Sequence, residues 1–121
     1  MDEKKLDKFR KKLLELRSAV LNRNATRRTE ALHLNTDDLV DETDHAAAMV
    51  QQSVMLNVQE RDRFLLIEID IALSKFEEGL YGLCEDTEEP IDESRLDAEP
   101  YARYSVEVAE IREHQRKRFA S

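Results

Sequence analysis

Two residue pairs at x-x spacing, Cys84/Thr87 and Ser105/Val108, stand where a four-cysteine zinc site would carry its two C-x-x-C knuckles. Such a site holds its metal through thiolates, and this chain has a single cysteine. Neutral Thr and Ser hydroxyls are poor zinc donors and Val has none, so the four positions offer one strong ligand. The spacing predicts a metal-free module with vestigial ligand positions and no cofactor. Its order would rest on apolar packing by Leu83, Ile91, Leu96, Ala98, Tyr101, Tyr104, Val106 and Ile111. A small helical cap around a buried cysteine fits the same residues.

A second cluster with chemical capacity is Asp41-Glu42-Thr43-Asp44-His45-Ala46. Carboxylates so placed can approach a bound metal, a basic loop or a nucleophilic water in another molecule. They also serve as helix caps, each typically contributing about 0.5–2 kcal/mol. His33, His45 and His114 are too scattered for a metal motif. Paired acids on a convex tip have no enclosed pocket, so the chain is not expected to be an enzyme.

The elements that position these groups are helices. Gly and Pro number two each, aromatics make up 6%, and no alternating Val/Ile/Thr runs occur, so the expected fold class is all-α. From about residue 3 to 31 the row Leu6, Phe9, Leu13, Leu16, Val20 steps by three and four, a coiled-coil seam, with Lys4, Lys8, Lys11, Lys12 and Arg17 on the other face. A second pattern runs from about 44 to 80 through Ala47, Val50, Val54, Val58, Leu65, Ile69, Leu73 and Phe76. At ~1.5 Å per residue it makes a rod of roughly 54 Å, which needs a partner.

The first helix is long enough and basic where the second is acidic, so the two are expected to form an antiparallel coiled-coil hairpin over residues 1–80, with the acidic tip near 33–46. Met49 and Met55 would fill gaps in it. Gly79 and Gly82 would let the chain leave the hairpin and enter the zinc-finger-like module, 81–121, which ends in a helix from about 102 to 118. A hairpin that satisfies its own seam is expected to be a monomer; pairing between molecules is the alternative.

The net charge of -8 is the sum of +5 over residues 1–31 (ten Lys/Arg, five Asp/Glu), -16 over 32–110 (five, twenty-one) and +3 over 111–121 (four, one). Most of the chain would repel a phosphate backbone, which counts against a nucleic-acid-binding finger. The N-terminus leads into a charged helix and no long apolar run follows, so neither secretion nor membrane insertion is expected. With one cysteine and no internal disulfide, the expected compartment is the cytoplasm.

Asp41-x-x-Asp44-x-Ala46, about forty residues to Tyr81-Gly82-x-Cys84, and then Arg95-Leu96-x-Ala98-x-Pro100 together resemble the DksA/TraR family of bacterial transcription regulators, over roughly residues 41–110. The resemblance implies direct binding to bacterial RNA polymerase, without sequence-specific DNA contact, and insertion of the hairpin through the secondary channel. It implies that Asp41 and Asp44 act near the polymerase active centre, that Ala46 allows close approach, and that Arg61 supports polymerase binding. The outcome would be altered lifetime of promoter complexes. Thr87, Ser105 and Val108 in place of cysteines match the zinc-independent branch. The positions that help bind ppGpp in some members are matched by Glu68, Glu99 and Ala109, two carboxylates and no cation, so potentiation by ppGpp is not expected here. A structural or adaptor coiled coil that binds another protein is the alternative function.

Overall fold

The computed structural model describes the backbone of residues 1–34 and 42–120, with side chains described over 1–30 and 45–119. It contains four helices, α1 (Glu3–Leu34), α2 (Glu42–Glu78), α3 (Glu93–Ala98) and α4 (Val106–Ala120). Among the described residues the only strand-like feature is an isolated antiparallel bridge between Leu83 and Pro90, so the fold is all-α. The hairpin of α1 and α2 is followed by the small module and its closing helix.

Both ends of the hairpin's base are set by local chemistry. Asp2 caps α1: its Oδ1 accepts the Lys5 N–H at 2.9 Å, satisfying one of the first-turn amides left without a helical partner. At the end of α2, Gly79 adopts φ +71°. The Leu80 N–H then reaches the Lys75 carbonyl at 3.0 Å and the Gly79 N–H the Phe76 carbonyl at 3.4 Å, the paired bonds of a Schellman stop.

The chain packs as two compact units. One comprises Met1–Glu15 and Glu68–Ser121, the other Leu16–Ile67. The first holds nearly all the fully buried apolar side chains: Phe9, Leu13, Ile69, Ala72, Tyr81, Cys84, Ile91 and Leu96. Tyr81 is its centre, stacked on Phe76 at 4.1 Å and tilted against Phe9 at 6.0 Å, with its hydroxyl donating to the Pro100 carbonyl at 2.8 Å. Burial, and next the charge of Asp97, push that phenol well above its ordinary range, so it stays a donor.

In this unit the lysines of α1 meet α3 of the module. Lys5 pairs with Glu93 at 2.8 Å, and Lys8 and Lys12 converge on Asp97 at 3.3 and 3.2 Å. These lysines, expected to complement the acidic second helix, pair instead with the acids of α3 that lie nearer to them.

The Leu16–Ile67 unit is sparser. Val20 is its one fully buried apolar side chain among the described residues, and the only buried charged residue described is also here, Asp62 at 7% exposure. On α1 the expected seam is realised, with Phe9, Leu13 and Val20 buried and Leu6 and Leu16 half-buried. Its next positions, Asn24 and Arg27, are polar.

On α2 the seam differs from the expected row. Counting back from Phe76 in steps of four and three, the inward positions are Ala72, Ile69, Leu65, Asp62, Val58, Met55 and Ala48, all buried or half-buried except where Gln51 interrupts. Ala47 is exposed, and Val50 and Val54 are 64% and 56% exposed; they belong to a second row. Met49, expected to fill a gap, is exposed as well. The error came from joining two apolar rows that share the same 3.5-residue step but lie on different faces.

Candidate functional site

Two groups of residues were singled out by the sequence, and they fall in different parts of the fold. Asp41 lies outside the described residues. Asp44 sits in the first turn of α2, where exposed N–H groups and the helix dipole favour a carboxylate. Ala46 is exposed one residue beyond His45.

Arg61 lies on the same helix, seventeen residues on from Asp44, about 26 Å along the axis. It is exposed and forms no ion pair among the described residues. Its chain neighbour Asp62 points inward and pairs with Arg27 of α1. Val50, Val54, Asn57, Arg61 and Phe64 recur in steps of four and three, so Arg61 stands in a row with three exposed apolar side chains.

In the module the vestigial positions do converge. Cys84 is 1% exposed. Burial pushes its thiol up, but the Thr87 hydroxyl and the amides of Ser105, Thr87 and Asp86 outweigh that and bring it from 9.0 down to about 6. The first knuckle thus keeps the amide cradle that suits a thiolate, and Cys84 and Thr87 from one pair meet Ser105 from the other.

The remaining positions now do structural work. The Ser105 Oγ accepts the Val108 N–H at 3.3 Å and so caps α4, and the Thr87 Oγ1 accepts the Glu89 N–H at 3.3 Å. Val108 is half-buried and offers no lone pair. Among the described residues no group of three or more His, Cys, Asp or Glu side chains could hold a metal. One thiolate with two hydroxyls already engaged does not fit a tetrahedral zinc site.

Ion pairs link the segments that a metal would otherwise join. Arg103 forks onto Glu85 with two bonds of 2.9 Å, and Lys75 adds a third at 2.9 Å. Arg112 of α4 forks onto Asp86 at 2.9 and 2.6 Å, with its guanidinium 4.2 Å from the Tyr104 ring centroid. The residues beside the first knuckle are thereby tied to the segments on either side of the second, Arg103 before it and Arg112 after it. Sequence reasoning missed both arginines, although their acids, Glu85 and Asp86, are the two residues that follow Cys84 in the chain.

The packing list was also incomplete. Ile91 and Leu96 are buried as expected, but Ala98 is exposed, and Val106 and Ile111 are 44% and 58% exposed because the outer side of α4 has no neighbour in its unit. Tyr81, Cys84 and Pro100 take their places. Gly82, at φ +84°, is held close: a Cβ there would lie 2.8 Å from the Met1 Cε.

Glu68 and Glu99, at the positions discussed for ppGpp, each have a cation nearby. Arg103 reaches Glu68 at 3.4 Å and Arg95 reaches Glu99 at 3.9 Å. These guanidiniums are engaged by carboxylates of the chain itself.

The fold and site define a class: a helical hairpin joined to a finger frame whose ligand positions have become caps and packing. Residues 79–114 match the prokaryotic DksA/TraR C4-type zinc finger. The chain is 36% identical over 97% of its length to the RNA polymerase-binding transcription factor DksA of Caulobacter vibrioides, covering 82% of that protein. It is 31% identical to the Escherichia coli K12 protein of the same name, over 95% of this chain and 78% of that one. The structure of transcription factor DksA2 from Pseudomonas aeruginosa is similar with a TM-score of 0.81 and 36% identity, over 97% of this chain and 88% of that one. The chain belongs to the DksA/TraR family. These relatives are named as transcription factors, not as enzymes.

Proposed function

We propose that this protein is a transcription regulator that binds bacterial RNA polymerase directly and passes its hairpin tip into the secondary channel. The observation that carries the reading is the layout of α2, with Asp44 in its first turn and, about 26 Å away, an exposed Arg61 that forms no ion pair among the described residues, in a chain aligned over 97% of its length with a polymerase-binding relative. Asp41 and Asp44 act near the active centre, Ala46 allows close approach, and Arg61 contributes affinity.

The tip acts by discriminating between two polymerase conformations, since a ligand shifts an equilibrium only by its difference in affinity. Promoter-complex lifetime changes without chemistry at the tip. The protein works without zinc, because its donor set cannot hold the metal, and without ppGpp, because Glu68 and Glu99 present carboxylates where phosphates would bind. It acts as a monomer in the cytoplasm and makes no sequence-specific DNA contact. No helix among the described residues is long and apolar enough to cross a membrane.

The test is competition binding to RNA polymerase against a secondary-channel factor, with a chelator present throughout. Displacement supports the reading. A folded, helical protein that fails to bind would favour an adaptor coiled coil, for which the exposed row of Val50, Val54 and Phe64 offers a surface.

A further inference from the structure

The unit of Met1–Glu15 and Glu68–Ser121 contains a cavity of about 380 Å³ that the caps and ion pairs of the module leave open. Lys75 and Leu80 line it at the end of α2, and Leu83, Cys84, Glu85 and Glu88 line it from the first knuckle. Two local devices shape its walls. The stop at Gly79 leaves Leu80 48% exposed on one wall. At another the knuckle turns tightly, with the Glu88 N–H on the Cys84 carbonyl at 2.9 Å and Glu88 itself at φ +59°. Among the described residues it is the one positive φ outside glycine, a strained conformation for a residue with a Cβ.

Charge decides what the cavity can take. Lys75 is engaged, with its Nζ 2.9 Å from Glu85 Oε1; Arg103 forks onto the same carboxylate and reaches Glu68 at 3.4 Å. These two cations and two carboxylates close on one another at zero net charge. The Glu88 carboxylate is left over, with no ion pair among the described residues. From Phe76 to Ser94 the chain carries eight Asp/Glu and no Lys or Arg. The cavity also lies at the C-terminal end of α2, where the last carbonyls and the helix dipole favour a cation.

Leu80 and Leu83 supply an apolar surface beside that acid. A group that suits both has an aliphatic stem and a positive head. Arginine has them, and its planar guanidinium matches a carboxylate with two hydrogen bonds. We propose that this cavity is a socket for an arginine side chain of the partner protein, its stem against Leu80 and Leu83 and its guanidinium on Glu88. That the partner is RNA polymerase rests on the secondary-channel reading; the socket itself does not.

The test uses the full chain with its leucine methyl groups labelled for NMR. The probe is N-acetyl-arginine methylamide, and the control is its citrulline analogue, which keeps the shape and loses the charge. The arginine probe is expected to shift the Leu80 and Leu83 methyl signals saturably in the millimolar range, and the citrulline analogue to bind about ten-fold more weakly. Glu88→Gln should weaken the arginine probe by about five-fold with melting unchanged. Glu88→Gly should weaken it as much and melt no lower than the parent, since glycine adopts this φ freely. In parallel, Glu88→Gln should weaken polymerase binding by about five-fold.

Equal affinity for the two probes, or no saturable shift at Leu80 and Leu83, would overturn the socket. So would a Glu88→Gln variant that binds the arginine probe like the parent. Weakened probe binding with unchanged polymerase binding would overturn the assignment of the arginine to the polymerase. If the parent itself fails to bind polymerase, the secondary-channel reading fails, and the probe shifts still decide the socket.

Discussion

Arg103 holds Glu85 in a two-point fork, with Nε to Oε1 and Nη2 to Oε2 both at 2.9 Å, and thereby ties the first knuckle to the segment just before the second. This pair is part of what stands in for a metal cross-link. It is partly buried, 32% and 28% exposed at the two side chains, so it is screened less than a surface pair.

Its pH dependence follows. Arg103 first, and Lys75 next, hold the Glu85 carboxyl from 4.5 down to about 2 against the opposing effect of burial. A carboxyl depressed in the folded state contributes stability that is present above its unfolded value and is lost as protons bind. Melting temperature should therefore fall as pH drops from 4.5 towards 2, and Arg103→Met should remove about 1–2 kcal/mol at neutral pH and flatten that acid limb. Thermal melts by circular dichroism across pH would read both; an unchanged limb in the variant would assign it to other acids.

Order in the module rests on packing, and Leu96 is fully buried in it. Leu96→Ala should cost about 2–5 kcal/mol. Chelator or added zinc should leave the parent's melting temperature where it is, since the donor set offers a single thiolate. A shift of several degrees with zinc would mean that Cys84 recruits ligands from elsewhere.

The Cys84 thiol, brought down to about 6, should be thiolate at neutral pH yet slow to alkylate because it is 1% exposed. Being depressed from 9.0, it contributes stability present above about 9 and lost as pH falls through 6. Iodoacetamide labelling should accelerate sharply on addition of denaturant. Rapid labelling of the native protein would show that the knuckle opens readily.

At the tip, Asp44→Asn should leave helicity and polymerase binding nearly intact while abolishing the transcriptional effect. A comparable loss of binding would make Asp44 an affinity contact, and a large drop in melting temperature would make it a cap.

Arg61→Ala should do the reverse, weakening polymerase binding by about ten-fold without changing the melt, because the side chain is exposed and unpaired within the described residues. A destabilised fold would instead reveal an intramolecular role.

Much of this architecture is written locally. The row from Leu6 to Val20, the stop at Gly79, the scarcity of turn residues and the replacement of three ligand positions are facts of type and spacing, and helical periodicity converts them directly into faces and ends. The family motif from Asp41 to Pro100 is equally legible. None of these depends on which distant residue lies opposite.

Tertiary structure decided the rest, because each choice turned on a partner far away in the chain. Val50 and Val54 match the coiled-coil step as well as Val58 does, and only α1 lying against the Met55–Val58–Asp62 row determined which apolar residues face water. Asp62 stands beside Arg61 in the chain, yet its partner is Arg27, 35 residues away. Lys8 and Lys12 could have met any acidic face; the arrival of Asp97 settled the matter. Periodicity is a property of one helix and is fixed by the backbone, whereas opposition is a property of two and is fixed by packing.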